Sequence, residues 1–129
     1  MDYALQRRAV LADLHAGRTT PLDACDAHPY LLSAARFHGE PTEEMCPVCR
    51  KEQLIDVHYA YGDELRAGNG QAKSLADLQR MGMDHREFTV YVVEVCPACR
   101  WNHLAMSFVL GRDGLAEQDG TERREAARE

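Results

Sequence analysis

Apolar residues in the first third of the chain are spaced as they are on helices. Over 2–16, Leu5, Ala9, Val10, Leu11 and Leu14 recur three and four residues apart, the period of one helix face. Asp2 can cap that helix, and Gly17 ends it. Thr20-Pro21 opens a second helix, with a hydroxyl at the N-cap and proline in the first turn, where its missing N–H costs nothing. Pro29 splits this segment. A third helix then runs from Pro29 to Phe37, with Tyr30, Leu31, Ala34 and Ala35 toward the core and Gly39 at its end.

Beyond Glu40-Pro41-Thr42-Glu43-Glu44, a polar lead-in, the period changes to two. Leu54 to Tyr61 alternates, with Asp56 and His58 on a wetter face. Phe88 to Val95 is rich in β-branched and aromatic residues, the composition of a strand. Trp101 to Leu110 alternates again. Gly62 and Gly68-Asn69-Gly70 mark turns, as do the acidic pair Asp63-Glu64 and Asp84-His85. Gln71 to Met81 suits a short helix with Leu75, Leu78 and Met81 on one stripe. From about residue 113 the chain is charged without apolar period, which predicts a disordered tail over 113–129.

Two cysteine turns interrupt this pattern. Cys46-Pro47-Val48-Cys49 and Cys96-Pro97-Ala98-Cys99 are each followed by arginine, Arg50 and Arg100. A CxxC turn presents two sulfurs on one side of a tight loop, and two such turns face to face make the tetrahedron of thiolates that Zn²⁺ prefers. The metal ligands expected are therefore Cys46, Cys49, Cys96 and Cys99, with Zn²⁺ in a structural role. A closed four-sulfur set leaves no open position for substrate. The second turn joins 88–95 to 101–110 as a hairpin, and the first joins the helical segment to the sheet. The fold class that follows is α+β. A helical segment (1–40) packs on a three-stranded antiparallel zinc ribbon (41–112), which carries a helical insert near 71–81.

The same cysteines have rival uses. Paired CPxC turns resemble rubredoxin, an iron electron carrier. There glycine usually follows the knuckle and lets backbone amides reach the sulfur, and arginine in its place argues against iron. A thioredoxin-type redox pair needs one active CxxC, not two matched turns. His103 is the one histidine placed to substitute for a cysteine, and His58 also sits in a strand near the metal end. His28, between Asp26 and Pro29, suits a local cap. Cys25 reads as a small buried hydrophobe. Glu94, the one acid in an apolar strand, is expected to pair with Arg100 or Lys51. Trp101, Tyr59, Tyr61, Tyr91 and Phe108 either complete the core or offer stacking faces for nucleic-acid bases.

At 129 residues the chain is sized for one domain, and its net charge of -6 does not favour phosphate binding. No basic start precedes an apolar run, and no stretch is long enough to cross a bilayer. These features point to a cytoplasmic protein with reduced thiols and no membrane partner. Nothing resembles a nucleophile–base pair, a P-loop or a dinucleotide fingerprint, so no enzyme is expected.

Several strings carry a family resemblance over residues 2 to about 112: DYALQRRA from Asp2, Pro29-Tyr30-Leu31 with His38-Gly39-Glu40, Tyr61-Gly62-Asp63-Glu64-Leu65, and EFTVYVVEVC from Glu87 with Trp101-Asn102-His103-Leu104. As a set they resemble an uncharacterised actinobacterial zinc-ribbon family, a domain of unknown function. The resemblance implies a small cytosolic protein with a metal knuckle pair and brings no activity or catalytic residues. The reading that follows is a non-enzymatic zinc-ribbon adaptor for a macromolecular partner, most readily a protein, with a transcription-linked partner suggested by analogy with other ribbons. The alternatives are a nucleic-acid-binding ribbon and, behind it, a rubredoxin-like or thiol redox protein.

Overall fold

The computed structural model describes residues 1–112, and the tail expected to be disordered (113–129) lies outside the described residues. Helices α1 (Ala4–His15), α2 (Pro21–Ala24) and α3 (Pro29–His38) come first. Strands β1 (Glu40–Met45) and β2 (Gln53–Tyr61) follow, then a 3₁₀ turn (Asp63–Gly68), β3 (Gln71–Lys73), α4 (Leu75–Asp84), β4 (Phe88–Val95) and β5 (Asn102–Leu110).

The α+β class is as expected, but the sheet has five strands, not three. Its order is β1-β2-β4-β5, with every pairing antiparallel. The short β3 also pairs with β2, over His58 to Ala60, while β1 pairs with Gln53 to Asp56. The two short strands therefore lie end to end along one edge of β2. β1 occupies the stretch read from sequence as a polar lead-in, and β3 takes the first residues of the expected 71–81 helix, which begins at Leu75 instead. Proline and three glutamates hide β1 from any strand pattern, yet an exposed edge strand tolerates both.

Local chemistry explains the helix boundaries. The Thr20 hydroxyl accepts from the Asp23 N–H at 3.2 Å, and Pro21 sits in the first turn. His28 caps α3 through Nδ1, which accepts from the Tyr30 N–H at 3.1 Å. Asp2 Oδ1 accepts from the Ala4 N–H at 2.7 Å at the start of α1. The apolar face assigned to α1 is only partly used. Leu5 and Ala9 are exposed, while Val10 and Leu11 pack against the cysteine cluster. Tyr30 on α3 is likewise exposed, and Leu75 on α4 stands 44% exposed while Leu78 is buried.

Alternation along β2 and β4 gives the sheet two faces. On one, Ala35 of α3 and Ala27 cover Val57 and Val95. On the other, Leu78 of α4 and Leu65 of the 3₁₀ turn cover Ala60, Phe88, Val90 and Val92. A third cluster, Cys46, Leu54, Cys96 and Trp101, fills the end of the sheet where the two cysteine turns meet.

Candidate metal centre

Each cysteine turn closes a hairpin: β1–β2 around Cys46–Cys49 and β4–β5 around Cys96–Cys99. The Cys46 N–H donates to the Glu52 carbonyl and the Cys96 N–H to the Trp101 carbonyl, both at 2.8 Å. Inside each turn the arginine N–H donates back to the first cysteine's carbonyl, Arg50 to Cys46 at 3.1 Å and Arg100 to Cys96 at 3.0 Å. That closure needs a left-handed residue, and Arg50 (φ 57°) and Arg100 (φ 73°) adopt it. L-residues resist this conformation by about 1–2 kcal/mol, which the closed turn offsets.

Because β2 and β4 are hydrogen-bonded neighbours, the two turns project from the same end of the sheet. The four sulfurs of Cys46, Cys49, Cys96 and Cys99 lie within 4.8 Å of one another. Cys46 and Cys99 approach to 3.6 Å, as do Cys49 and Cys96. A tetrahedron with metal–sulfur bonds of about 2.3 Å has edges of roughly 3.8 Å, so the set fits a four-coordinate thiophilic ion. Cys46 and Cys96 are fully buried, and Cys49 and Cys99 are partly exposed.

Backbone amides point at the sulfurs. The Val48 N–H donates to Cys46 Sγ at 3.4 Å, Lys51 to Cys49 Sγ at 3.5 Å and Cys99 to Cys96 Sγ at 3.5 Å. Arginine after the knuckle does not keep these amides away, so the argument drawn from it against iron loses its physical basis. Burial pushes the Cys49 thiol up, but the Lys51 N–H and the neighbouring thiols outweigh it and bring Cys49 down to about 7. Burial raises Cys96 and Cys99. Cys49 is therefore the first of these three to ionise when no metal is bound.

The histidines stay outside the cluster. His103 Nδ1 lies 2.8 Å from the Leu104 carbonyl, and its ring stacks on Trp101 at 6.0 Å. His58 is buried on β2, where burial lowers its pKa against the pull of Glu40, and its Nδ1 has no partner among the described residues. Glu94 takes neither Arg100 nor Lys51. Its Oε2 accepts from Arg7 Nε of α1 at 2.7 Å and from the buried Trp101 Nε1 at 2.8 Å. Arg7 also reaches Glu44 of β1 at 2.6 Å. This network lies directly behind the second turn, and sequence alone gave no sign of it because 87 positions separate Arg7 from Glu94.

The aromatic residues divide between core and surface. Trp101 is buried in the cysteine cluster and presents no face to a nucleic acid, and Phe108, half-buried, packs against the Val90 core. Tyr59, Tyr61 and Tyr91, with Val93 and Leu104, line an open groove of about 540 Å³ on the α3 side of the sheet. Tyr61 and Tyr91 meet edge to face at 5.3 Å.

Residues 1–126 match the model of a family described as "Family of unknown function (DUF5318)". The chain belongs to DUF5318. Across 111 residues it is 50% identical to an uncharacterized protein of Mycobacterium bovis, covering 86% of this chain and 81% of that one. An uncharacterized protein of Mycobacterium tuberculosis H37Rv matches at the same identity and coverage. No solved structure matches the chain. The DUF5318 match and these relatives accord with the actinobacterial family of unknown function that the sequence resembles.

Proposed function

We propose that this DUF5318 protein is a non-enzymatic zinc-ribbon adaptor, with Zn²⁺ held by Cys46, Cys49, Cys96 and Cys99 in a structural role. The observation that carries the reading is the cluster of four sulfurs within 4.8 Å of one another, a size that suits a closed tetrahedral thiolate set. When bound there, zinc supplies a cross-link between the two hairpins and no open coordination position for chemistry. The ribbon proper in this reading is β2, β4 and β5, with β1, which leads into the first turn, and β3 paired along the outer edge of β2.

The partner in this reading is a protein. The groove of Tyr59, Tyr61 and Tyr91 supports it, because tyrosine supplies large amphipathic contact area and is enriched at protein interfaces. The acidic balance of the chain disfavours a phosphate backbone. A transcription-linked partner belongs to the proposal by analogy with other zinc ribbons alone.

Elemental analysis of the purified chain tests the base of the proposal. One zinc per chain is expected, and Cys96→Ser should lose it together with a large part of the thermal stability. A red chromophore would assign iron instead, since a four-sulfur tetrahedron suits both metals. Chains without stoichiometric metal would remove the reading. Tyr91→Arg should keep zinc and abolish capture of a partner that wild type retains. Binding to single- or double-stranded oligonucleotides that weakens along a salt series would move the function to nucleic acid.

A further inference from the structure

A fifth thiol adjoins the metal centre. Cys25 Sγ lies 3.6 Å from Cys99 Sγ, as close as the ligand sulfurs lie to one another. The contact is built into the fold. The Cys25 N–H closes α2 onto the Pro21 carbonyl at 2.8 Å. Two positions on, the Ala27 N–H donates to the Arg100 carbonyl at 3.0 Å, and Asn102 Nδ2 donates to Asp26 Oδ1 at 3.0 Å. Residues flanking Cys99 on its C-terminal side thus hold the 25–27 segment against the second turn. Four sulfurs complete a tetrahedron, so Cys25 is the thiol left over. It is partly exposed, as Cys99 is, whereas Cys46 and Cys96 are closed to solvent.

We propose that Cys25 and Cys99 are a redox modification site: a hydroperoxide converts them to a disulfide that strips one ligand from the metal. The inference rests on the four-cysteine reading above. The Cys99 thiolate attacks a peroxide oxygen, the O–O bond breaks and hydroxide leaves, giving Cys99 sulfenic acid. The Cys25 sulfur then attacks the Cys99 sulfur and gives up its proton. The S–S bond forms, the S–OH bond breaks and water leaves. Two thiols are oxidised by two electrons and one peroxide is reduced. Side-chain rotation closes the sulfur gap to the roughly 2.05 Å of a disulfide. Three sulfurs then remain for the ion, too few for a closed structural site. Of the two partly exposed ligands, Cys49 and Cys99, Cys99 is the one with a spare thiol beside it, which makes the loss reversible and keeps Cys99 from further oxidation.

The test uses the zinc-loaded full chain treated with one equivalent of hydrogen peroxide. Zinc release is followed with a chelating dye, and cross-links are mapped by mass spectrometry of unreduced peptides. A Cys25–Cys99 linkage should accumulate in step with zinc release, and dithiothreitol with added zinc should reverse both. Cys25→Ser should carry the same zinc before treatment. With a second equivalent of peroxide, which the step from sulfenic to sulfinic acid consumes, it should show Cys99 sulfinic acid and fail to regain zinc on reduction. Linkages confined to Cys46–Cys49 and Cys96–Cys99 would overturn the proposal, as would a Cys25→Ser chain that loses and regains zinc like wild type. A Cys25→Ser chain that never binds zinc would make Cys25 a ligand and equally end its role as a spare thiol. If the wild-type chain carries no metal at all, the four-cysteine reading fails, while the linkage map of the treated chain still decides the Cys25–Cys99 pair.

Discussion

Arg7 ties α1 to the sheet directly behind the second cysteine turn. Its guanidinium lies between Glu94, which is buried, and Glu44, which is exposed. Removing it leaves the Glu94 carboxylate buried with the Trp101 N–H as its remaining donor, and such orphaned charges are costly. Arg7→Met should lower unfolding free energy by about 2–3 kcal/mol in denaturant titration. Asp56 of β2 lies opposite Glu94 in the sheet. Register places Glu40, Asp56, Glu94 and His103 in one row across β1, β2, β4 and β5. Burial first, then Glu94 and Glu44, raise the Asp56 pKa. A carboxyl whose folded pKa lies above its unfolded value binds protons more readily when folded, so its stabilising share is full in acid and lost as pH rises through the folded value. At neutral pH the ionised Asp56 therefore opposes folding. Asp56→Asn should stabilise the protein at pH 7 by on the order of 0.5 kcal/mol, and the gain should vanish below the ordinary aspartate pKa of about 3.9. A gain that persists unchanged in acid would contradict the charge argument.

Elements were legible in the sequence to the extent that they bury a regular face. β4 was the plainest, because Phe88, Val90 and Val92 fill one core while Val95 fills another. The pairing of the cysteine turns followed from spacing and metal geometry. Edge strand β1 was illegible because pairing with β2, not side-chain burial, makes it a strand, and most of its residues are exposed. α1 misled in the other direction. Its helical period is real, but Val10, Leu11 and Arg7 carry its packing on the cysteine end of the sheet while Leu5 faces solvent at 69% exposure. The end of α3 shows a constraint that composition alone cannot convey. Gly39 has an ordinary extended backbone, φ -75° and ψ 157°. It is required instead by closeness, since a Cβ there would press on the Ala35 carbonyl oxygen and on Ile55 Cγ2 of β2. Gly39→Ala should cost about 1–3 kcal/mol and shift the melting midpoint down.

For the whole molecule, no helix among the described residues is long and apolar enough to cross a membrane. The two sheet faces have cores of their own, and the end of the sheet depends on the cysteine cluster to draw α1, α2 and the two hairpins together. If the cluster holds zinc as proposed, chelation should therefore act unevenly. Hydrogen exchange should rise first in α1, α2 and the two turns, while Val90 and Val92 in β4 stay protected. Uniform loss of protection would mean that the α4 face cannot stand without the ion. The Arg7–Glu94–Trp101 link was beyond the reach of sequence for the same reason that it matters here: it ties chain segments that meet only in the folded state.

The two turns also differ from the centre they build in how far apart along the chain their parts lie. Each turn is complete within one hairpin, and hairpins of this kind form in about 1–10 μs without waiting for the rest of the chain. The full centre needs β2 to find β4 across the intervening β3 and α4, a slower, non-local search. During synthesis the Cys46–Cys49 hairpin emerges first, with the Lys51 N–H that donates to Cys49 Sγ supplied inside the same turn. An ion captured there would have half its ligands in place before the second hairpin exists, so the order of the chain gives metal capture a direction.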